Sequence, residues 1–296
     1  MTNRAVSEVL GFVLVFALVT TTMSFVYVSD LASLEDRRDA ERIDNAERAF
    51  GVLADNAQDV YRRDAPSRAT DLKLAEAQLR LADSSEITVS VINGTNLTVD
   101  NGMLEADDGT GNTFDVSDGR IRYAGGSFLT HQSPIVTGIY TASPRPIVYA
   151  TGGSEIVYES GAVIRSDRSG AVLKRPPAMR FAETDTVIRL VETRPSNQGD
   201  PGSVGGTTTA LVRMKRDKTA VLTLPNHRSP FLVNLTVRTT PARAVVWERH
   251  LDSRIEWTNA GTDNDACSVS DGTVYCAFLV EEQFEVTKTG IETTID

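Results

Sequence analysis

Residues 9–29, Val-Leu-Gly-Phe-Val-Leu-Val-Phe-Ala-Leu-Val-Thr-Thr-Thr-Met-Ser-Phe-Val-Tyr-Val-Ser, carry no charged side chain. In a helix that rises about 1.5 Å per residue, about 20 apolar residues match a hydrocarbon core of about 30 Å, so this run is expected to span a bilayer. Its flanks give an orientation. Arg4 and the amino terminus lie on one side, and Asp30, Glu35 and Asp36 come first on the other. The positive-inside tendency then puts the amino terminus in the cytoplasm and everything after residue 30 outside.

The order of the leader is informative. An ordinary secretory signal has a longer basic region, then the apolar run, then a small-residue cleavage site. Here the basic residue and the small residue both precede the apolar run, which would stay attached after a cut at Ala5-Val6. The string Arg4-Ala5-Val6-Ser7-Glu8-Val9-Leu10-Gly11 resembles the N-terminus of haloarchaeal type IV pilin-like proteins, which carry class III signal peptides. The resemblance covers about the first 30 residues. It implies a prepilin peptidase that recognises Arg4, Ala5 and Val6 and cuts after Ala5. It also implies a mature chain that starts at Val6, whose apolar helix lies in membrane lipid or packs with other pilin-like subunits. Glu8 has two readings. A carboxylate within a turn of a helix start favours the positive end of the helix dipole, and the same group can pair with the Val6 amine of a neighbouring subunit.

Composition fits an external, high-salt setting. Of the 30 basic residues 25 are arginine and five are lysine, against 23 Asp and 17 Glu, for a net charge of −10. Excess surface carboxylate keeps a chain hydrated where salt screens repulsion. The same balance speaks against nucleic acid as a partner, because a nucleic-acid site needs a basic face.

After the apolar run, residues 30–63 continue as a charged, periodic helix with Ile43, Ala46, Phe50, Leu53, Ala57 and Val60 on one seam. The seam suits packing on the chain's own β domain or a short coiled coil. Pro66 and the polar run from Asp64 end it. Beyond, alternation of period two appears in residues 87–92 and 231–237, with Gly and Pro punctuation and no second long helical period. The expected class is α+β: a leader (1–5), a transmembrane or pilin-core helix (6–29), an amphipathic stalk helix (30–66) and an extracellular, mostly antiparallel β domain (67–296), sandwich-like or made of two smaller sheets. Pro195–Thr209, dense in Gly, Ser and Thr, reads as a mobile loop or a boundary.

Two stretches suggest register. A three-residue loop at Asn93-Gly94-Thr95 would pair Val91 with Leu97 and Val89 with Val99. Asn93, Asn96 and Asn234 begin glycosylation sequons, and alternation points Asn96 and Asn234 outward. Around Asp271-Gly272, a two-residue turn puts Cys267 directly opposite Cys276 at a non-hydrogen-bonded site, close enough for a disulfide. An oxidising exterior suits such a bond.

Catalytic motifs are lacking. His131, His227 and His250 show no zinc-binding spacing and no nucleophile elbow. Glu105, Asp107, Asp108 and Asp115 form a solvated acidic turn or a loose oxygen-ligand set for calcium, and Asp263 and Asp265 read the same way. No cofactor is implied. The leading expectation is a non-enzymatic pilin-like surface subunit, minor or accessory in a filament. The alternatives are an anchored ectodomain that binds a partner or glycan without polymerising, and an extracellular hydrolase.

Overall fold

The computed structural model describes the chain except residues 1, 93–95, 101–102, 108–112, 118, 124–135, 183–184, 197–201, 225–230, 256–265 and 281–282. Side chains of residues 2–9, 26, 28–37, 96–100, 103–107, 113–117, 122–123, 136–137, 222–224 and 231 are also outside the description. The chain divides into two compact units, Met1–Asn45 and Ala46–Asp296.

A single helix, α1 (Thr2–Arg62), runs through 61 residues. Its final part belongs to the second unit, where Ala46, Phe50, Leu53, Ala57 and Val60 are all buried; Ile43 falls in the first unit. Phe50 meets Tyr149 edge-on at 6.4 Å between ring centroids. Arg175 donates to the Gly51 carbonyl (3.2 Å) and to Gln58 (3.0 Å) and pairs with Asp55, while Lys174 and Arg165 both pair with Glu47 (3.0 and 3.4 Å). The seam therefore packs on the chain's own β structure. Asp64, at a left-handed φ of 57°, ends the helix. The amides of Arg63 and Ala65 both return to the Asp59 carbonyl (3.1 and 3.0 Å), satisfying an end that would otherwise lack partners. The Asp59 carboxylate is held by Arg68 and Arg63, which lower its pKa.

The next strands are β1 (Ser67–Lys73), β2 (Ala77–Leu81), β3 (Glu86–Ile92), β4 (Asn96–Asp100), β5 (Met103–Asp107), β6 (Thr113–Ser117) and β7 (Arg120–Tyr123). They are followed by β8 (Val136–Ala142), β9 (Ile147–Thr151), β10 (Ser154–Glu159), β11 (Ala162–Asp167), β12 (Gly170–Arg175), β13 (Met179–Phe181) and β14 (Asp185–Pro195). Last come β15 (Ser203–Gly206), β16 (Thr209–Leu224), β17 (Phe231–Arg238), helix α2 (Pro241–Ile255), β18 (Cys267–Ser270), β19 (Thr273–Val280) and β20 (Gln283–Ile295). They form four sheets, ordered β1-β16-β20-β14-β13, β12-β11-β10-β9-β2-β15, β18-β19-β17-β3-β8 and β4-β5-β6-β7. Among the described residues pairing is antiparallel except between β14 and β20, which run parallel from Asp185↔Gln283 to Pro195↔Thr293. The α+β class with a mostly antiparallel β region holds, and the described strands form four sheets where the alternative expectation had two.

Three local expectations are corrected. β3 and β4 do not form a hairpin. β3 lies between β17 and β8, with Val89 opposite Leu235 and Tyr140, whereas β4 pairs with β5, Leu97 opposite Ala106 and Val99 opposite Leu104. Two neighbours, β8 and the largely buried β17 with Leu232, Val233, Leu235 and Val237, offer β3 more contact than one short hairpin partner does. The segment 195–209 is not all loop, since Ser203–Gly206 pairs with β2. The region after residue 67 is mostly β as expected, but a second long helix does occur in it: α2 buries Ala244, Val246, Trp247, Leu251 and Ile255. These join Ile87, Val89, Leu235, Val237, Phe278, Phe284 and Val286 in the main core.

Candidate functional site

The cysteine hairpin forms in the expected register: Ser270↔Thr273, Val269↔Val274, Ser268↔Tyr275 and Cys267↔Cys276. Asp271 and Gly272, at φ of 49° and 75°, make the tight two-residue turn whose twist suits antiparallel strands. The cysteine Cα atoms are 4.2 Å apart and the disulfide is formed, buried in the core with α2. The Asp252 carboxylate of α2 accepts the Cys267 amide (3.0 Å). A Cβ on Gly272 would stand 2.7 Å from the Thr239 carbonyl, so the turn fits closely against the lead-in to α2.

That lead-in meets a buried carboxylate, which sequence reading missed. Glu159 is fully buried at the end of β10. It accepts the Trp247 indole N–H (2.9 Å) and the Thr239 hydroxyl (2.8 Å), and its Oε1 lies 3.1 Å from the Arg243 guanidinium. Ser160 and Gly161, at φ of 46° and 90°, turn the chain directly after it, and the Ser160 hydroxyl accepts the Val191 amide of β14 (3.2 Å). Two strand hairpins, β14 and α2 are thus tied at one point. Beside it opens a polar cleft of about 580 Å³, lined by Arg80, Asp83, Glu86, Glu155, Arg238 and Arg243 among others. Its charges of both signs largely offset one another, as in the Arg80–Glu155 pair (3.8 Å). The signal for this node was present: Thr239-Thr240-Pro241 is a helix start, and Ala244, Trp247, Leu251 and Ile255 follow at helical spacing.

The other expected residues are scattered. Asn93 lies outside the described residues; Asn96 begins β4 opposite Asp107, and its side chain lies outside them too. Asn234 is half-buried and its amide donates to the Cys276 carbonyl (3.2 Å), so its outward exposure is only partial. Glu105 and Asp115 stand opposite one another on β5 and β6, while Asp108, Asp263, Asp265, His131 and His227 lie outside the described residues. Among the described residues no group of three or more His, Cys, Asp or Glu is placed to hold a metal ion. His250 is half-buried on α2, and burial lowers its pKa first, the charge of Arg254 second.

Arg4, Ala5, Val6 and Glu8 lie in the first turns of α1, with side chains outside the described residues. From Leu10 the helix is apolar on every side, with Phe12, Val15, Phe16, Leu18, Met23 and Phe25 each more than 60% exposed. Its hydroxyl groups turn back on the backbone: Thr20 to the Phe16 carbonyl (2.7 Å), Thr21 to Ala17 (2.7 Å), Thr22 to Leu18 (3.0 Å) and Ser24 to Thr20 (2.8 Å). Among the described residues no helix is long and apolar enough to cross a membrane. The unbroken stretch whose side chains are described, residues 10–25, is about 24 Å long at 1.5 Å per residue, against a hydrocarbon core of about 30 Å. The run read from sequence, 9–29, reaches past it at both ends.

No curated protein and no solved structure matches the chain. Residues 4–294 match a family of unknown function, DUF7289, so both the apolar helix and the β-rich unit fall within the match and the chain belongs to that family.

Proposed function

We propose that this is a cell-surface protein anchored by α1, processed by a prepilin peptidase after Ala5, and serving as a minor or accessory pilin-like subunit without enzymatic activity. The observation that carries the reading is the apolar surface of α1 directly behind Arg4-Ala5-Val6. A helix that is apolar all round belongs in lipid or in a helical bundle, and large exposed apolar patches mark such contacts. The back-bonded Thr20, Thr21, Thr22 and Ser24 support the same environment, because a hydroxyl satisfied within its own helix enters hydrocarbon at reduced cost. The disulfide fits an oxidising compartment, which agrees with a cytoplasmic amino terminus and an external β-rich unit.

A second reading keeps the anchor and drops the filament. The burial of the Ala46–Val60 seam within the second unit favours it, since that seam is not available to a neighbouring subunit. The two readings separate by mass spectrometry of the N-terminal peptide from membrane and sheared-filament fractions. A mature start at Val6 in sheared filaments supports the subunit; a Val6 start confined to membranes supports the lone anchor. Arg4→Glu and Ala5→Leu are expected to retain the leader, and normal processing of both would refute the peptidase assignment.

A further inference from the structure

Between the end of α1, the β12–β13 connection, β13, β14 and the end of α2 lies a cavity of about 650 Å³. Its cations come from four elements: Arg62 from α1, Arg180 from β13, Arg189 from β14 and Arg254 from α2, with His250 one turn before Arg254. Among the described residues no acidic side chain lines it. Arg180 is held by Asp185, but Arg62, Arg189 and Arg254 have no ion-pair partner among the described residues. Arg165, Arg175, Arg194 and Arg243 each have a carboxylate beside them. Arg168, Arg238 and Arg249 also lack an ion pair among the described residues, but they do not share one cavity; what sets this site apart is the grouping of its cations. In a chain of net charge −10, such a concentration of one sign is a local field that attracts anions.

The remaining wall selects among anions. It is apolar, with Pro177, Met179, Phe181 and Val187, and among the described residues it contains no serine, threonine, asparagine or glutamine. A sugar would meet guanidinium groups, the His250 imidazole and an apolar wall, with no hydroxyl or amide side chain among the described lining residues. Guanidinium groups present forked donors that match carboxylates, and an apolar wall beside a few placed charges is the usual make-up of a binding cavity of this size. We infer that this cavity binds a short acidic peptide segment, with carboxylates on Arg189, Arg254 and Arg62 and apolar side chains against Met179 and Phe181. The inference stands apart from how the N-terminus is processed.

The test uses the full chain in non-ionic detergent and a fluorescein-labelled Leu-Glu-Leu-Glu-Leu-Glu peptide, read by fluorescence polarisation. Binding is expected to weaken at least tenfold in Arg189→Gln and Arg254→Gln, to weaken in Arg189→Lys, which keeps the charge and loses the fork, and to vanish for the Leu-Gln repeat. Arg213→Gln, on β16 and outside the cavity, should leave it unchanged. Circular dichroism confirms that each variant is folded. An equal loss in Arg213→Gln would reduce the effect to general charge attraction and overturn the proposal. Tighter binding of a galacturonate hexamer than of the peptide would overturn it in favour of an acidic glycan, and no binding of either probe would also overturn it.

Discussion

Replacing Glu159 tests the central node of the β-rich unit most directly. The carboxylate is fully buried, and the Arg243 side chain beside it is only 10% exposed. Removing the carboxylate in Glu159→Leu leaves a buried guanidinium without its counter-charge, which typically costs about 3–5 kcal/mol. It also strands the Trp247 indole and Thr239 hydroxyl, donors worth about 1–3 kcal/mol each when left unmet. These terms describe one desolvated cluster and do not add, so the expected loss is about 4 kcal/mol. Glu159→Gln keeps one acceptor oxygen and loses the charge, for about 2 kcal/mol. In Glu159→Leu/Arg243→Met the unpaired charge is gone as well, and most of the loss should return, because an apolar replacement of a buried pair is often neutral. Urea unfolding followed by tryptophan fluorescence measures this, since Trp247 is one of two tryptophans and is buried. With a slope of about 3 kcal/mol per M, 4 kcal/mol moves the midpoint by more than about 1 M. A single variant displaced by less than about 0.3 M, or a double variant as unstable as the single, would refute the assignment of this pair as the controlling interaction.

Three further outcomes are expected of the same fold. Cys267→Ala/Cys276→Ala opens a loop with a sequence separation of nine and should lower stability by about 2–3 kcal/mol, visible as a fall in Tm that reducing agent reproduces in the parent; an unchanged Tm would remove the bond from the account. Phe50→Ala empties a site of zero exposure against Tyr149, and about 3–5 kcal/mol should appear as faster proteolysis within residues 46–62, which equal cleavage rates would contradict. The lowered pKa of His250 means the unfolded chain takes up the proton first, so its contribution is present above a pH of about 6.5 and is lost as pH falls through the folded value. Arg62, Arg180, Arg189 and Arg254 share its cavity. His250→Gln should flatten that acid-side loss, and a profile unchanged by the substitution would rule the imidazole out.

What sequence made legible was local. The cysteine register follows from one turn with two left-handed residues, because pairing in a two-residue hairpin is set by counting outward from the turn. The Phe50 seam follows from helical period, although sequence alone left its partner open. Helix α2 was legible too and was missed: Thr240 and Pro241 announce a start, but the dominant alternation on either side masked a spacing of three and four at Ala244, Trp247, Leu251 and Ile255.

Non-local pairing is where the reading failed, and the β3 case shows why. Asn93-Gly94-Thr95 lies between two alternating apolar runs, and hairpin matching assigns them to each other because no other candidate is adjacent. The actual partners of Val89 are Leu235 and Tyr140, one of them more than a hundred residues away. Pairing of that kind depends on which strand offers a buried neighbour on both sides, and alternation within one strand does not encode it. Glu159 is the sharper instance. Its surroundings in sequence, Ile-Val-Tyr before and Ser-Gly after, describe an ordinary hairpin turn that would sit in solvent. It is buried because α2 brings Trp247 and Arg243 to it from more than eighty residues away, and a carboxylate enters a core only where such donors meet it. The same reasoning applies to the cationic cavity, whose arginines look like dispersed surface charges until α1, β13, β14 and α2 converge. A chain this rich in arginine hides its unpaired cations among many paired ones, so only the fold separates Arg189 and Arg254 from Arg165 and Arg175.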